Sequence, residues 1–152
     1  MLAACGSTAG SGGSVSPSPS TRSVAFTEVT ATSQAGDDSG AMLIVGTTDA
    51  SRAKITQSVP GATASSGRVL VAVFQGQQST GGYSVHITAI ERSGDELVVR
   101  ATFGVPGPGA IVTQVLTSPA HVVSIAAADA TGVREAVLLD QSGAEIARTT
   151  TT

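Results

Sequence analysis

The chain has 152 residues, of which 41% are hydrophobic and 12% charged, and its formal net charge is -3 at pH 7. This length fits one domain plus a tail. A protein that binds duplex nucleic acid needs clustered Lys and Arg to displace counterions from phosphates, and the lone Lys54 and scattered Arg form no such cluster. The single Cys excludes an internal disulfide and a multi-Cys zinc site. No apolar run approaches the ~20 residues that span a bilayer.

The N-terminal segment, residues 1–21, combines a cysteine with a tract rich in Ser, Gly and Pro. Such a tract has almost nothing to bury, so we expect a flexible tether. Leu2-Ala3-Ala4-Cys5 resembles the lipobox of bacterial lipoproteins, in which a signal peptide is cut before a Cys that then carries a diacylglycerol. The resemblance implies a lipid anchor on Cys5, with the basic and apolar parts of the signal peptide upstream. The alternative is a chance match in an Ala-rich cytosolic protein.

Residues 22–148 are predicted to form a single all-β domain, and residues 149–152 a disordered tail. Short apolar segments rich in Val, Ile and Thr alternate with Gly, Ser, Pro and Asp, which is typical of antiparallel β proteins. The pattern fits an antiparallel β-sandwich, or a curled sheet or partly open barrel, with at most one short helix.

The first half of the domain contains three predicted strands and the one predicted helix. Thr48-Asp49 resembles a helix N-cap, and Pro60-Gly61 can end the helix that it starts. The third strand is apolar on both faces, so we expect it to be covered on both sides. The strands are at 23–29, 41–45 and 68–74, and the helix is at 50–58.

The second half is predicted to contain two hairpins. In the first, alternation places Tyr83, Val85, Ile87 and Ala89 on one face, and a one-residue slip would invert that face. The residues 104–109 contain two Pro and three Gly, and must form an exposed loop. The predicted elements are strands 83–89 and 97–103 joined by a turn at 92–95, strands 110–116 and 121–127, and a last hairpin of 133–140 and 144–148.

A pattern in the middle of the chain resembles the PrcB C-terminal domain family of bacterial envelope lipoproteins. A strand ends in Phe-x-Gly, a polar loop follows, and Gly81-Gly82-Tyr83-Ser84 opens the next strand. The resemblance covers residues 68–125, although the position after the later Pro is usually aromatic in the family and is Ala120 here. The resemblance implies a lipid-anchored, noncatalytic envelope protein that associates with a protease or stabilises it.

Five residues are candidates for partner binding: Gly81, Gly82, Tyr83, Pro106 and Pro108. The two Gly form either a turn or bulge that enters the strand, or a backbone surface open to a peptide or glycan. The Tyr ring either fills the core beside the loop, with its hydroxyl on a backbone group, or contacts the partner. The two Pro lie in either a plain connection or a stiff contact loop that loses little entropy on binding.

Catalytic, metal and cofactor sites are not expected. His86 and His121 have no carboxylate or Cys at metal-ligand spacing, so exposed or hydrogen-bonded surface side chains are expected. The residue types of a catalytic triad are present in Ser118, His121 and Asp129. No triad is predicted from them, because closeness in sequence does not fix geometry.

The sequence therefore predicts a noncatalytic, lipid-anchored bacterial envelope protein, facing the periplasm or exterior, that binds or stabilises another envelope protein. The family resemblance makes a protease the favoured partner, and the membrane is contacted through lipidated Cys5. The first alternative is a protease inhibitor that acts through an exposed loop or sheet edge. A cell-wall hydrolase is the third hypothesis, and no residue pattern supports it.

Overall fold

A computed structural model describes residues 20–151 as two β-sheets packed face to face. The predicted all-β class is confirmed. In chain order the elements are β1 (Thr21–Ser23), β2 (Phe26–Thr32), β3 (Met42–Val45), α1 (Asp49–Ser58), β4 (Arg68–Phe74), β5 (Ser84–Ser93), β6 (Glu96–Gly104), β7 (Ala120–Ala126), α2 (Ala127–Ala130), β8 (Glu135–Leu139) and β9 (Glu145–Thr150).

One sheet has five strands in the order β1-β5-β6-β8-β9, and the other has four in the order β2-β7-β4-β3. All neighbours are antiparallel except the parallel pair β6 and β8. The chain changes sheet between β1 and β2, where the Val24 N–H donates to Ile90 O of the first sheet and Phe26 pairs with Ile125 of the second. The single strand predicted at 23–29 is therefore wrong, because its apolar alternation continues across a change of sheet.

The strand β4 is apolar on both faces because it separates two cores. Val69, Val71 and Val73 face the other sheet, where they join the main core. Leu70, Ala72 and Phe74 face the opposite way and pack with Ile55 of α1 and neighbouring apolar residues. The prediction that this strand is covered on both sides is confirmed.

The predicted helix is present as α1, which begins one residue before the predicted range. The side chains of Thr48 and Ser51 each accept a hydrogen bond from the other's backbone N–H, so a capping box starts the helix. Ile55 of α1 is fully buried and packs against β4. The prediction of at most one helix is wrong, because a single turn, α2, follows β7. The Ala-rich sequence of α2 continues the apolar pattern of β7, and for that reason the strand was predicted to reach residue 127. In the structure β7 ends at Ala126, and the Ala127 N–H donates to Gly67 O.

The hairpin of β5 and β6 is longer than predicted and contains a bulge. Its turn is only Gly94-Asp95, with Gly94 at φ 64, whereas the prediction included Arg92 and Ser93. The register shifts between Ile87 and Ala89. An extra residue in one strand turns the following side chains over, so buried Ile90 faces the core where the prediction placed Ala89.

Two further predictions are wrong. Residues 110–116 form no strand and are largely exposed, because β7, which follows them, is already flanked by β2 and β4 and leaves no adjacent edge for pairing. The predicted tail at 149–152 is ordered as far as it is described: β9 continues to Thr150, and buried Thr151 donates its N–H to Arg134 O and accepts from Thr47.

Cys5 and the predicted tether up to residue 19 lie outside the described residues, as does residue 152. Within residues 20–151, neither helix has the length and apolar character needed to cross a bilayer.

Candidate functional site

A long loop between β6 and β7, residues 105–116, exposes most of the large apolar side chains that lie on the surface. We call it the apolar loop. Within residues 20–151, four of the five exposed large hydrophobic residues belong to it. Large apolar side chains that are exposed together on one loop mark an interaction site more often than scattered single residues do. The exposed fractions are 68% for Val105, 103% for Ile111, 52% for Val115 and 60% for Leu116, against 38% for Ile146 in β9.

The two ends of the apolar loop are held by residues 75–83, which follow β4 and which we call the clamping segment. Gln75 donates from its side chain to Gly104 O (3.1 Å) and from its backbone N–H to Pro119 O (2.9 Å). Gln78 and Thr117 exchange two backbone hydrogen bonds of 2.7 and 3.0 Å. The Thr117 hydroxyl also donates to Thr80 O at 2.8 Å. The loop is thus fixed at its base while its apolar residues remain exposed.

Gly81 and Gly82 let this segment approach the apolar loop closely. The Gly81 N–H donates to Thr113 O at 2.9 Å, and a Cβ on Gly81 would collide with the Thr113 hydroxyl. Gly82 has φ 87, and a Cβ there would lie 2.9 Å from Val112 Cγ1 and 3.0 Å from Pro106 Cγ. Only glycine combines that backbone conformation with so little space.

The structure therefore brings together three of the five predicted binding residues and places the other two near them. Gly81, Gly82 and half-buried Pro106 meet where the two segments touch, and Pro108 is exposed farther along the apolar loop. Tyr83 is half-buried rather than enclosed in the core. It lines a surface cleft of about 200 Å³ together with His86 and Pro119.

Sequence reasoning missed the role of His121, which it placed among surface histidines. The side chain lies between the two sheets and is only 2% exposed. Its Nδ1 accepts a hydrogen bond of 2.8 Å from the Ile87 N–H at the β5 bulge. A signal was present, since His121 alternates in phase with Val123 and Ile125, which face the main core.

The other ring nitrogen of His121 is buried without a hydrogen-bond partner, and Glu28 Oε1 lies 3.7 Å from it. The His86 ring stands edge-on to the His121 ring at a centroid distance of 5.2 Å. Burial is the main cause that lowers the pKa of His121 below its ordinary value, and it outweighs the Glu28 carboxylate, which acts in the opposite direction.

The three residues with the types of a catalytic triad, Ser118, His121 and Asp129, each bind a different partner. The Ser118 hydroxyl donates to Asp37 O at 2.8 Å, and the Asp129 carboxylate pairs with Arg22 at 2.7 Å. Because the His121 Nδ1 accepts an N–H, the neutral ring carries its proton on Nε2. A nitrogen that carries a proton offers no lone pair to a metal ion. In the described part of the chain, no group of three or more His, Cys, Asp or Glu is placed to bind one.

A comparison with known protein families finds a match, and it covers the strands and loops that build this site. Residues 69–126 match the PrcB C-terminal family. The match confirms the resemblance predicted over residues 68–125. It runs from β4 to β7, so it contains the clamping segment, the whole apolar loop and His121. No match was found among curated proteins or among solved structures.

Proposed function

We propose that this protein is a noncatalytic, lipid-anchored protein of the bacterial cell envelope that binds or stabilises another envelope protein through its apolar loop. The partner that we favour is a protease, because the match to the PrcB C-terminal family implies association with a protease complex. The noncatalytic role is supported by the separate engagement of Ser118 and Asp129.

The observation that carries this proposal is the clamped, exposed apolar loop. Burying one Val, Leu or Ile side chain at an interface contributes roughly 1.5–3 kcal/mol, and exposed Ile111, Val115 and Leu116 offer three such side chains. The hydrogen bonds at the base of the loop order it before the partner arrives. A pre-ordered loop loses less conformational entropy on binding.

The binding test compares two exposed apolar sites of the same chain. The double variant Ile111→Asp/Val115→Asp places charges on the apolar loop, and Ile146→Asp places one on β9 as the matched control. In cross-linking and affinity capture from solubilised envelopes, wild type and the control recover the same envelope protein. The double variant is expected to recover at least about tenfold less of it, because a loss of ~1.4 kcal/mol in binding free energy weakens the affinity tenfold.

Two outcomes contradict the binding proposal. One is that no envelope protein is reproducibly recovered with the wild type. The other is that the double variant of the apolar loop recovers the partner as well as the Ile146→Asp control does. A partner identified by mass spectrometry is then assayed for proteolytic activity and thermal stability with and without this chain.

The anchoring proposal rests on Cys5 and the tract behind it, and it is tested separately. One acyl chain binds a membrane only marginally, whereas the two chains of a diacylglycerol give a stable anchor. Mass spectrometry of the protein expressed with its upstream codons is expected to find the lipid on Cys5. Cys5→Ser is expected to leave the membrane fraction. An unmodified Cys5 in the mature protein would contradict the proposal.

A protease inhibitor is the second candidate function, and one observation favours it. Ile111 is fully exposed on a loop that is fixed at both ends, which is the form that a rigid segment presented to an active site would take. Titration against a panel of proteases tests this function. Inhibition that weakens in Pro106→Ala/Pro108→Ala would support it, whereas no inhibition of any protease would remove it.

A further inference from the structure

We propose that His121 is a pH-sensitive latch that ties the two sheets together next to the apolar loop. When the ring is neutral, Nδ1 accepts the Ile87 N–H across the sandwich at 2.8 Å. When the ring is protonated, both nitrogens carry hydrogen and that acceptor is lost. The latch then opens, and the Ile87 N–H is left without its partner.

The bulge in β5 explains why this N–H needs an acceptor outside its own sheet. The extra residue lies between Ile87 and Ala89, where the pairing with β6 changes register. A bulge disrupts the hydrogen bonds of its ladder locally. The Ile87 N–H is 34 positions away from the ring that accepts it, and both residues are buried. Losing a buried hydrogen bond while adding a buried charge disfavours the folded state strongly.

The charged and titratable groups around His121 come from two of the three strands packed against it. On β2, Glu28 Oε1 lies 3.7 Å from Nε2, but its side chain is 67% exposed and is therefore a weak counter-ion. On β5, the edge-on His86 ring would repel a second positive charge. On β4, the register partner of His121 is apolar Val73. Burial and the His86 ring favour the neutral form of His121 and outweigh the Glu28 carboxylate, in agreement with the lowered pKa of His121.

The position of the latch connects it to both halves of the candidate site. His121 lies on β7, the strand that follows the apolar loop, and Ile87 lies on β5, the strand that follows Gly82 and Tyr83. Opening the latch loosens the two strands that leave the site. A consequence for partner affinity below the lowered pKa of His121 rests on the proposed function, whereas the latch itself is a property of the isolated chain.

The direct test is nuclear magnetic resonance of the ring nitrogens and the Ile87 amide in the full chain. The sequence has only two His, so His86→Asn assigns both rings and is the matched control. At pH 7.5 we expect His121 as the tautomer with the proton on Nε2. Its titration is expected below the ordinary pKa of about 6.5, together with lost exchange protection at Ile87. A proton on Nδ1, or titration at or above the ordinary pKa, would overturn the latch.

The second test is denaturant unfolding between pH 5 and 8. Because the folded state disfavours the protonated ring, the unfolded chain binds more protons, and stability falls as pH falls below about 6.5. The unfolding constant of the wild type and of His86→Asn is expected to rise by up to about tenfold per pH unit. His121→Asn keeps an acceptor near the Nδ1 position and cannot titrate, so its unfolding is expected to be nearly flat. Equal pH dependence in all three would overturn the latch.

Discussion

The main core and the apolar loop use the same kinds of side chain and place them oppositely. Val99 of β6 and Val123 of β7 are fully buried, whereas Ile111 and Val115, between those strands in sequence, are exposed. The difference is a neighbouring strand. β6 has strands on both sides, whereas among residues 20–151 the apolar loop is held by hydrogen bonds at its base, by the Gln34 side chain at Leu116 O and by the contact with Gly81 and Gly82. Hydrophobicity alone therefore does not determine burial.

The largest expected effect compares the buried Phe74 with the exposed Ile111. Phe74→Ala leaves a cavity under α1 and is expected to lower the free energy of unfolding by about 3–5 kcal/mol. Ile111→Ala is expected to change it by no more than about 0.5 kcal/mol. Denaturant unfolding measures both. A large loss of stability in Ile111→Ala would show that the apolar loop is packed in solution and would break the comparison.

A smaller effect is expected from a matched pair of glycines. Gly82 and Gly143 have φ values of 87 and 85, but only at Gly82 would an added Cβ have atoms of another segment within 4 Å. Alanine at either position strains the backbone by roughly 1–2 kcal/mol. Gly82→Ala is expected to lower the free energy of unfolding further, and to weaken capture of the partner, because the added methyl pushes against Val112 and Pro106. Equal losses in both variants would mean that the two segments are not in firm contact.

The smallest expected effect concerns the hydrogen bond by which the Gln75 side chain holds the base of the apolar loop. Gln75→Ala removes the side-chain donor to Gly104 O and is expected to cost about 1–2 kcal/mol, as for other lost hydrogen bonds of buried groups. The control is Gln77→Ala, which removes only a bond to the exposed Asp38. Hydrogen exchange at the Gly81 amide, which donates to Thr113 O, is expected to accelerate only in Gln75→Ala. Unchanged exchange there would indicate that the backbone bonds suffice to hold the loop.

Local signals were sufficient where an element carries its own start and stop. Thr48 caps α1, and Pro60-Gly61 follows its end, so the helix could be located within one residue. Both faces of β4 are apolar over the six residues 69–74, and its predicted bounds coincide with the observed ones. Gly81, Gly82 and Pro106 could be singled out because glycine and proline fix or free backbone angles locally.

Errors arose where the neighbour of a segment decides its structure. Residues 110–116 have the composition of a strand, but strand propensity expresses fit to an adjacent, half-buried sheet, and no strand in the described part of the chain pairs with them. The alternation at 23–29 is continuous although the chain changes sheet at Val24 and Ala25. His121 is in phase with buried residues, yet its acceptor role needs a bulge 34 positions away.

The amino-acid sequence by itself determined the all-β class, the capped helix, the central strand, and the glycines and prolines of the site, because alternation and backbone restrictions act over a few residues. Only the tertiary structure decided that the apolar loop is exposed, that Gly82 meets Pro106, and that His121 joins the two sheets. These contacts join segments far apart in the chain. Their free energy depends on which groups fill the space and complete the hydrogen bonds of a distant strand.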